Sequence, residues 1–259
     1  MLLSEIWTYP IKACRGIAVT EGECEARGLR HDRRWMVVDA ETGRFVSQRE
    51  DARLARVDVA MHEDGYRVRC DVGELALPEQ LEGDQREVTI WNDTLAAVEH
   101  VEGSTLFSAL LARRVRLVFQ IGARATSKGG AVSFADGYPF LLIGQASLDD
   151  LNQRLEAPIP MARFRPNFVV TGGEPYAEDE WSALTIGSAT FRNVKLCDRC
   201  TVTTIDAEGN SGKEPLRTLA TYRKRDGKVW FGVNLLPDFD RATLRVGDAV
   251  HAPRAKRSG

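Results

Sequence analysis

Apolar and polar residues alternate over short segments in the first half of the chain. A period of two, interrupted by turn residues, is typical of half-buried β-strands. Glu63-Asp64-Gly65 separates two such segments and predicts a hairpin. The predicted strands are residues 2–9, 34–39, 44–47, 57–61, 66–70 and 115–119. Strands this short and closely spaced predict a small β-barrel or sandwich.

Helical patterns occur in three places. Ser104 is predicted as the N-cap of a helix that continues to about residue 112, because the leucines that follow fall on one face. The sequence Ser147-Leu148-Asp149-Asp150 matches a capping box and predicts a helix to about residue 155. Pro215 is predicted at the first position of a helix that ends near residue 222.

Strand-like segments continue in the second half of the chain. They are residues 139–143, 168–171, 181–190 as a pair of strands around Gly187, 201–205, 228–235 and 246–251. Residues 121–133 are rich in Gly, Ala and Ser, which predicts either a domain linker or mobile loop or an ordinary surface loop. The separate strands and helices together predict a β-rich α+β fold.

The charge balance narrows the class of partner. The chain of 259 residues has 35 basic and 37 acidic side chains, a net charge of -2, and its basic cluster is at residues 254–257. No field of a single sign favours a nucleic-acid surface. Basic side chains with a role in binding are therefore expected to act locally, at a small anionic ligand.

The sequence carries no targeting or membrane signal. Its N-terminal apolar run is too short for a signal peptide, and no segment reaches the roughly 20 apolar residues that cross a bilayer. The 5 cysteines are an odd number and do not indicate a disulfide framework. We therefore expect a cytoplasmic protein with no membrane partner. We also expect a monomer with no nucleic-acid partner.

The strongest candidate for chemistry is the segment 195–204, in which Cys197 and Cys200 are three residues apart. Lys195 and Arg199 lie just before the two cysteines and would favour an ionised sulfur. A metal ion or an electrophile is the natural partner of such a sulfur.

Three other interpretations of the cysteine pair remain open. A tetrahedral zinc site would need a second closely spaced Cys or His pair, which the chain lacks. A thioredoxin-like redox pair would precede a helix, whereas residues 201–205 are predicted as a strand. Either cysteine could also be a small buried residue. We favour this last interpretation for Cys197, which follows Val194 and Leu196.

An ordered set of short motifs runs through nearly the whole chain. At their spacing these motifs resemble the MOSC-domain family, in particular the mitochondrial amidoxime-reducing component and its bacterial relatives. The resemblance implies a MOSC N-terminal β-barrel-like domain over residues 1–120, packed on a MOSC core β-barrel with peripheral helices over residues 121–259. The motifs are Ile6-Trp7-Thr8-Tyr9-Pro10-Ile11-Lys12, Gly28-Leu29-Arg30, Asp32-Arg33-Arg34-Trp35, Tyr138-Pro139-Phe140-Leu141-Leu142, Phe164-Arg165-Pro166-Asn167, Tyr176-Ala177-Glu178-Asp179, Cys197-Asp198-Arg199-Cys200 and Lys213-Glu214-Pro215-Leu216.

The resemblance also implies a molybdenum cofactor bound between the two domains. Cys200 takes the position of the family's protein ligand to molybdenum, for which a thiolate is a soft, strongly donating ligand. One protein sulfur suffices because the cofactor brings the other ligands. By the same resemblance, the groups that contact the cofactor's phosphate and pterin are Lys12, Arg33, Arg165, Asn167, Asp198, Arg199 and Asn234.

The chain departs from the family's pattern at several of these places. Ala13, Gly137 and Tyr138 stand where relatives carry hydroxyl residues, so the backbone N–H groups would hold the phosphate there. Gly173-Glu174 stands where relatives carry a Cys-Asp pair near the metal. Glu174 keeps a carboxylate that could relay protons in catalysis.

The implied reaction is the two-electron reduction of an N-hydroxylated compound, such as an amidoxime, a hydroxylamine or an N-hydroxylated base. The sequence has no ferredoxin-like cysteine cluster, so we expect no intrinsic iron–sulfur cluster and a separate flavin or iron–sulfur protein as electron donor. The first alternative is a non-catalytic carrier of the cofactor or of its sulfur. The second is a zinc-stabilised β-barrel binding module.

Overall fold

The structure is a computed structural model in which residues 1–253 are described. Within these residues, the largest sheet has nine strands, mostly from the second half of the chain. Its neighbouring strands are antiparallel, with one parallel pair formed by Phe140–Gly144 and Phe168–Thr171. The basic cluster at residues 254–257 lies outside the described residues. The order across the sheet is Ile17–Val19, Leu2–Thr8, Phe168–Thr171, Phe140–Gly144, Lys228–Pro237, Ala189–Asp198, Ala183–Ile186 and Val250–His251, with Lys224–Arg225 beside Lys228–Pro237.

The smaller sheets come mainly from the first half of the chain. The hairpin predicted around Glu63-Asp64-Gly65 is confirmed. In spatial order, the smaller sheets are Trp35–Asp39, Val115–Gln120, Asp93–His100 and Gln85–Ile90; Asp58–His62, Gly65–Cys70 and Gly73–Pro78; Arg241–Arg245, Glu21–Glu25 and Gly28–Leu29; and Arg124–Ala125 with Ala131–Val132.

Two sheets combine strands from opposite ends of the chain. Leu2–Thr8 pairs with Phe168–Thr171, and Glu21–Glu25 pairs with Arg241–Arg245. The first strand thereby holds the turn that contains Lys12 against the second half of the chain. The domain boundary at residue 120 stays a prediction.

Alternation of buried and exposed positions along the strands produces the cores. In the largest sheet, the rings of Phe140, Phe168 and Phe191 pack with centroids 5.3 to 5.6 Å apart. A second core in the first half of the chain includes the buried rings of Trp35 and Phe107. Each side chain of this size contributes about 1.5–3 kcal/mol when it is removed from water.

Helices are few and pack against inner strands of the sheets, as helix Gln145–Arg154 does against Phe140–Gly144 and Phe168–Thr171. None of those in the described part of the chain has the length and apolar character needed to cross a bilayer. The predicted β-rich α+β fold is confirmed. The described residues form α-helices at Val101–Leu111, Gln145–Arg154 and Leu216–Tyr222, and 3-10 helices at Ala52–Arg56, Met161–Phe164, Ala177–Glu180 and Thr201–Thr204.

The first helix begins earlier than its predicted cap. Helix Val101–Leu111 starts three residues before Ser104, because His100 is the N-cap and its Nδ1 accepts the Gly103 N–H at 3.0 Å. Ser104 instead donates its hydroxyl to the His100 carbonyl at 2.9 Å. The helix is thus capped by the His100 ring nitrogen and not, as the sequence predicted, by the Ser104 hydroxyl.

The second and third helices also differ at their starts. Ser147 lies inside helix Gln145–Arg154, and its hydroxyl donates to the buried Glu178 carboxylate at 2.8 Å. The predicted capping box is therefore wrong. Pro215 precedes helix Leu216–Tyr222 as its N-cap rather than occupying the first helical position.

The segment after Cys200 is a 3-10 helix, Thr201–Thr204, rather than the predicted strand. The Thr203 hydroxyl donates to the Cys200 carbonyl at 3.0 Å, and Thr204 does the same to Thr201 at 2.8 Å. Such local hydroxyl bonds compete with sheet pairing despite the β propensity of threonine.

Three further segments differ from their predicted form. Within residues 121–133, Arg124–Ala125 and Ala131–Val132 pair as a short hairpin. Residues 44–47 contribute isolated bridges only. Of residues 246–251, only Val250–His251 is a strand.

Candidate functional site

The main cavity lies where loops and strand ends from both halves of the chain meet, and its volume is about 490 Å³. The second half contributes the ends of Phe140–Gly144, Phe168–Thr171 and Ala189–Asp198. The first half contributes the turns after Leu2–Thr8 and before Trp35–Asp39. The pairing of the first strand with Phe168–Thr171 brings these turns together.

Every predicted site residue except Glu174 lines this cavity. The fold therefore assembles residues that are far apart in the sequence, although their roles stay predictions. Those in the cavity wall are Lys12, Ala13, Arg33, Gly137, Tyr138, Arg165, Asn167, Asp198, Arg199, Cys200 and Asn234.

Glu174 is exposed and lies outside the cavity wall. Asn167, in the wall, comes just before strand Phe168–Thr171, whereas Glu174 follows the opposite end of that strand. The strand alone spans roughly 13 Å. The structure therefore does not bring Glu174 to the cavity wall, and its role in relaying protons stays a prediction.

Positive charge dominates the cavity wall. Six basic side chains and two acidic ones, Asp136 and Asp198, line it among the described residues. This excess favours an anionic ligand with groups that accept several hydrogen bonds. The basic side chains are Lys12, Arg33, Arg49, Arg165, Lys195 and Arg199.

Lys12 is the buried cation of this wall, with 7% of the residue exposed. Its ammonium donates to Asp136 Oδ1 at 2.5 Å and to the Phe134 carbonyl at 2.9 Å. Burial lowers the pKa of Lys12, and Asp136 partly opposes this effect. Although burial would raise the pKa of Asp136, the nearby Lys12, Arg33 and Arg165 lower it to about 2. Asp136 is thus an anion at neutral pH.

Two arginines stack on the buried ring of Tyr9. The guanidinium carbons of Arg33 and Arg165 lie 4.2 and 4.3 Å from the ring centroid. Arg33 also donates to Asp32 Oδ2 at 2.5 Å, and Arg165 donates to the Cys14 carbonyl at 2.6 Å. A planar fork held in this way loses little entropy when it binds an anion.

Three residues of the cavity wall have left-handed backbone conformations that non-glycine residues rarely adopt. The φ angles are 71° for Ala13, 47° for Arg33 and 56° for Arg165. Each such conformation costs about 1–3 kcal/mol and persists where the surroundings fix it. Here it sets the direction of both stacked arginines.

The two cysteines of the candidate motif both line the cavity. Cys200 is exposed and precedes the 3-10 helix Thr201–Thr204. Cys197 is partly exposed, so its interpretation as a buried core residue is wrong. Arg199 donates through Nη1 to the Cys197 sulfur at 2.9 Å and through Nη2 to the Phe164 carbonyl at 2.6 Å. Its Nε is buried and has no hydrogen-bond partner among the described residues.

The amides of the wall are used mainly to hold the backbone. Asn167 accepts the Leu141 N–H at 3.1 Å and donates to the Trp7 carbonyl at 3.2 Å, which ties the two strands that flank Phe168–Thr171 to the cavity. Asn234 donates to the Lys195 carbonyl at 3.4 Å. Both amides position the wall through these contacts.

Lys195 and Asp198 form an ion pair of 2.9 Å at the end of the strand that carries the cysteines. Burial lowers the pKa of Lys195, but Asp198 outweighs it and the net shift is upward. Lys195 therefore keeps its proton at neutral pH. No set of three or more His, Cys, Asp and Glu side chains in residues 1–253 is placed to hold a metal ion.

Sequence reasoning missed one acidic and several aromatic or basic residues of the wall. Asp136 precedes the predicted Gly137 but matched no motif. Phe45, Arg49 and Trp91 come from the first half of the chain. The available signal for Trp91 was a large aromatic residue in the Ile90-Trp91-Asn92-Asp93 turn, where small polar residues are usual.

Comparison with known proteins gives matches over both halves of the chain. The family model described as the MOSC N-terminal beta barrel domain matches residues 1–114, and the model of the MOSC domain matches residues 129–251. Mitochondrial amidoxime-reducing component 1 of Homo sapiens is 33% identical, over 96% of this chain and 82% of its own length. Mitochondrial amidoxime reducing component 2 of Bos taurus has the same identity and coverage.

A further relative matches this chain over only part of its own length. Molybdenum cofactor sulfurase of Solanum lycopersicum is 28% identical, over 96% of this chain but only 35% of its own length. Both matched segments of this chain contribute to the cavity wall, the first through Lys12 and Arg33 and the second through Arg165 and Cys200.

Proposed function

Because this chain belongs to the MOSC-domain family and also carries the MOSC N-terminal β-barrel domain, we propose that it is a molybdenum-cofactor-dependent reductase of N-hydroxylated compounds. The observation that carries the proposal is an exposed thiol, Cys200, in a cavity whose wall has a large excess of basic side chains. The relatives named as amidoxime-reducing components support the choice of reaction.

The cavity fits the chemical demands of this cofactor. A volume of about 490 Å³ lies within the range of roughly 300–1,000 Å³ that is usual for ligand sites. The cofactor's phosphate requires cations, its pterin requires hydrogen-bonding groups, and its metal requires a soft protein ligand. The unpartnered Nε of Arg199 is a donor left over within this wall.

The residues divide between these demands. Cys200 would bind the metal through its sulfur. Lys12, Arg33 and Arg165 would hold the phosphate, together with backbone N–H groups at Ala13, Gly137 and Tyr138. The pterin would be surrounded by Arg199, Asp198, Asn167 and Asn234. The side-chain amides of Asn167 and Asn234 already form hydrogen bonds with the backbone, so their role would be to orient the cavity wall.

When bound, the cofactor supplies a two-electron reductant that accepts oxygen. Two electrons and two protons convert an N–OH group to N–H and release one water molecule. Lys195 holds its proton at neutral pH beside Asp198, at the end of the strand that carries the cysteines. This pair would handle protons at the cavity wall.

Electrons would come from a separate flavin or iron–sulfur protein that docks at the cavity. We also propose that the protein works as a monomer in the cytoplasm, whose reducing conditions would keep Cys200 a free thiol.

Metal analysis and turnover together test this function. Protein purified from cells that synthesise the cofactor is expected to contain about one molybdenum per chain, and to reduce benzamidoxime to benzamidine with reduced methyl viologen as donor. The positively charged cavity and the free thiol are the reasons to expect retention of the cofactor.

A second candidate function is a non-catalytic carrier of the cofactor or of its sulfur, favoured by the match to molybdenum cofactor sulfurase. A carrier would contain molybdenum without reducing benzamidoxime. A zinc-stabilised module would contain zinc and no molybdenum. Either result contradicts the reductase.

A further inference from the structure

One wall of the main cavity is aromatic, and the proposed cofactor contacts do not use it. The rings of Phe45 and Trp91 pack with centroids 4.9 Å apart at 58°. The Lys12 ammonium lies 5.4 Å from the Phe45 ring, and the Arg49 guanidinium lies 5.1 Å from the Trp91 ring. Phe45, Trp91 and Arg49 thus form a continuous surface, here called the aromatic wall, which begins beside Lys12.

Trp91 is held in an unusual place for so large a side chain. It is the first of the two residues that connect strands Gln85–Ile90 and Asp93–His100, and its φ is 55°. Turn positions with positive φ favour glycine, asparagine or aspartate. Trp91 is also 39% exposed, although water contact with an indole is unfavourable. Strain of this kind is kept mainly at sites with a function.

Within residues 1–253, Arg49 is the cation of the cavity wall without a protein acceptor. The side chain is exposed, and among the described residues its contact is the ring of Trp91, with no carboxylate at ion-pair distance. Arg33, Arg165 and Arg199, in contrast, each donate to a protein oxygen. The Arg49 guanidinium is therefore available to an anionic group of a ligand that lies against Trp91.

We propose that the aromatic wall binds the substrate and selects planar aromatic N-hydroxylated compounds that carry an anionic group. This inference rests on the proposed reductase function. The substrate's ring would stack on Trp91 and Phe45, and its carboxylate or phosphate would accept hydrogen bonds from Arg49. An aliphatic substrate would gain neither contact.

Three amidoximes distinguish stacking on the aromatic rings from hydrogen bonding to Arg49. 4-Carboxybenzamidoxime offers a ring and an anion, benzamidoxime offers the ring alone, and acetamidoxime offers neither. We expect Arg49→Gln in the molybdenum-loaded protein to raise KM about fivefold to tenfold for the first compound only, since a charge-assisted hydrogen bond is lost. In the Trp91→Gly variant, glycine readily adopts the positive φ of this turn, so the substitution should not strain the backbone. It is expected to raise KM about fivefold for both aromatic compounds, to leave acetamidoxime unchanged, and to leave kcat within about twofold.

The matched control is Arg67→Gln, which removes an exposed arginine outside the cavity and is expected to change no KM. Trp91→Phe keeps an aromatic ring. It is therefore expected to retain most of the affinity for the two aromatic amidoximes that Trp91→Gly loses. Affinity of the loaded protein for 4-carboxybenzamidoxime is also measured by isothermal titration calorimetry. If no amidoxime is reduced, the proposed reductase function is wrong. The calorimetric affinity for 4-carboxybenzamidoxime still shows whether the aromatic wall binds such a compound.

Two outcomes would overturn the proposal. Equal changes in KM for all three compounds would mean that the wall does not select the substrate. Loss of molybdenum from Trp91→Gly or Arg49→Gln protein would mean that the wall holds the cofactor instead.

Discussion

Replacing Cys200 with serine is expected to remove molybdenum from the purified protein and to reduce benzamidoxime turnover to less than about a hundredth of the wild-type rate. Serine keeps the size of the side chain but replaces a soft sulfur donor with a hard, neutral hydroxyl. Even groups that only support a metal ligand contribute about 10- to 100-fold to affinity or activity. Loss of the ligand itself should exceed that, and metal analysis with a turnover assay measures both effects.

Cys197→Ser is the informative comparison, because the same change is made three residues away in the same cavity wall. Its sulfur accepts from Arg199, which remains anchored to the Phe164 carbonyl at 2.6 Å. We therefore expect Cys197→Ser to keep its molybdenum and to lose less than about tenfold in turnover. Cys70→Ser, at a partly exposed thiol outside the cavity, controls for general effects of the substitution.

The result that would contradict this assignment is equal loss of molybdenum from the Cys197 and Cys200 variants, which would indicate a site with two protein sulfurs. Retention of molybdenum by Cys200→Ser would remove the ligand assignment altogether. Thermal unfolding of each variant distinguishes a lost ligand from a damaged fold. Cys200 is exposed, so its substitution should leave the melting temperature of the metal-free protein nearly unchanged.

The sequence predicted strands and helices well where local patterns decide them. Alternating segments such as Gly65–Cys70 became strands, because one face of each strand is buried. The starts of helices depend on contacts that no local pattern records. Serine is a common residue at helix N-caps, but the Ser147 hydroxyl donates a hydrogen bond to the Glu178 carboxylate instead. Glu178 lies about 30 residues further along the chain.

The candidate site shows the same division between local and long-range information. The motif residues lie together because strand Leu2–Thr8 pairs with Phe168–Thr171, a contact between distant parts of the chain that the ordered motifs already implied. The sequence did not predict that Glu174 lies outside the cavity wall, because position in a motif does not tell which end of a strand faces the cavity. Trp91 was missed because its significance comes from a backbone angle and from its contact with Phe45.

Glu178 is a buried titratable group outside the cavity, with 1% of the residue exposed. Its Oε1 accepts the Gly144 N–H at 3.0 Å and the Ser147 hydroxyl at 2.8 Å, at the start of helix Gln145–Arg154. Ser147 Oγ in turn accepts the Tyr176 N–H at 2.7 Å. The carboxylate therefore connects a helix start to the loop that follows strand Phe168–Thr171.

We expect Glu178→Ala to lower the free energy of unfolding by about 2–4 kcal/mol, because it leaves buried donors at Gly144 and Ser147 without an acceptor. In a chain of this size, each kcal/mol corresponds to about 2–4 °C, so the melting temperature should fall by roughly 5–15 °C. Glu156→Ala is the matched control: Glu156 is exposed just after the same helix, and its removal should change stability by less than about 0.5 kcal/mol.

The pH dependence of stability gives an independent test through Glu178→Gln, which keeps the shape and an acceptor oxygen. Burial raises the pKa of Glu178, and the hydrogen bonds from Gly144 and Ser147 only partly oppose this. The folded protein therefore holds this proton more tightly than the unfolded chain, whose glutamates titrate near about 4.3. The stabilisation from Glu178 is fully present below that value and is lost as pH rises through the folded pKa. Unfolding measured from pH 4 to 8 should show the Gln variant gaining stability relative to wild type as pH rises. A relative loss at pH 8 would mean that the ionised carboxylate at the helix start is the stabilising form.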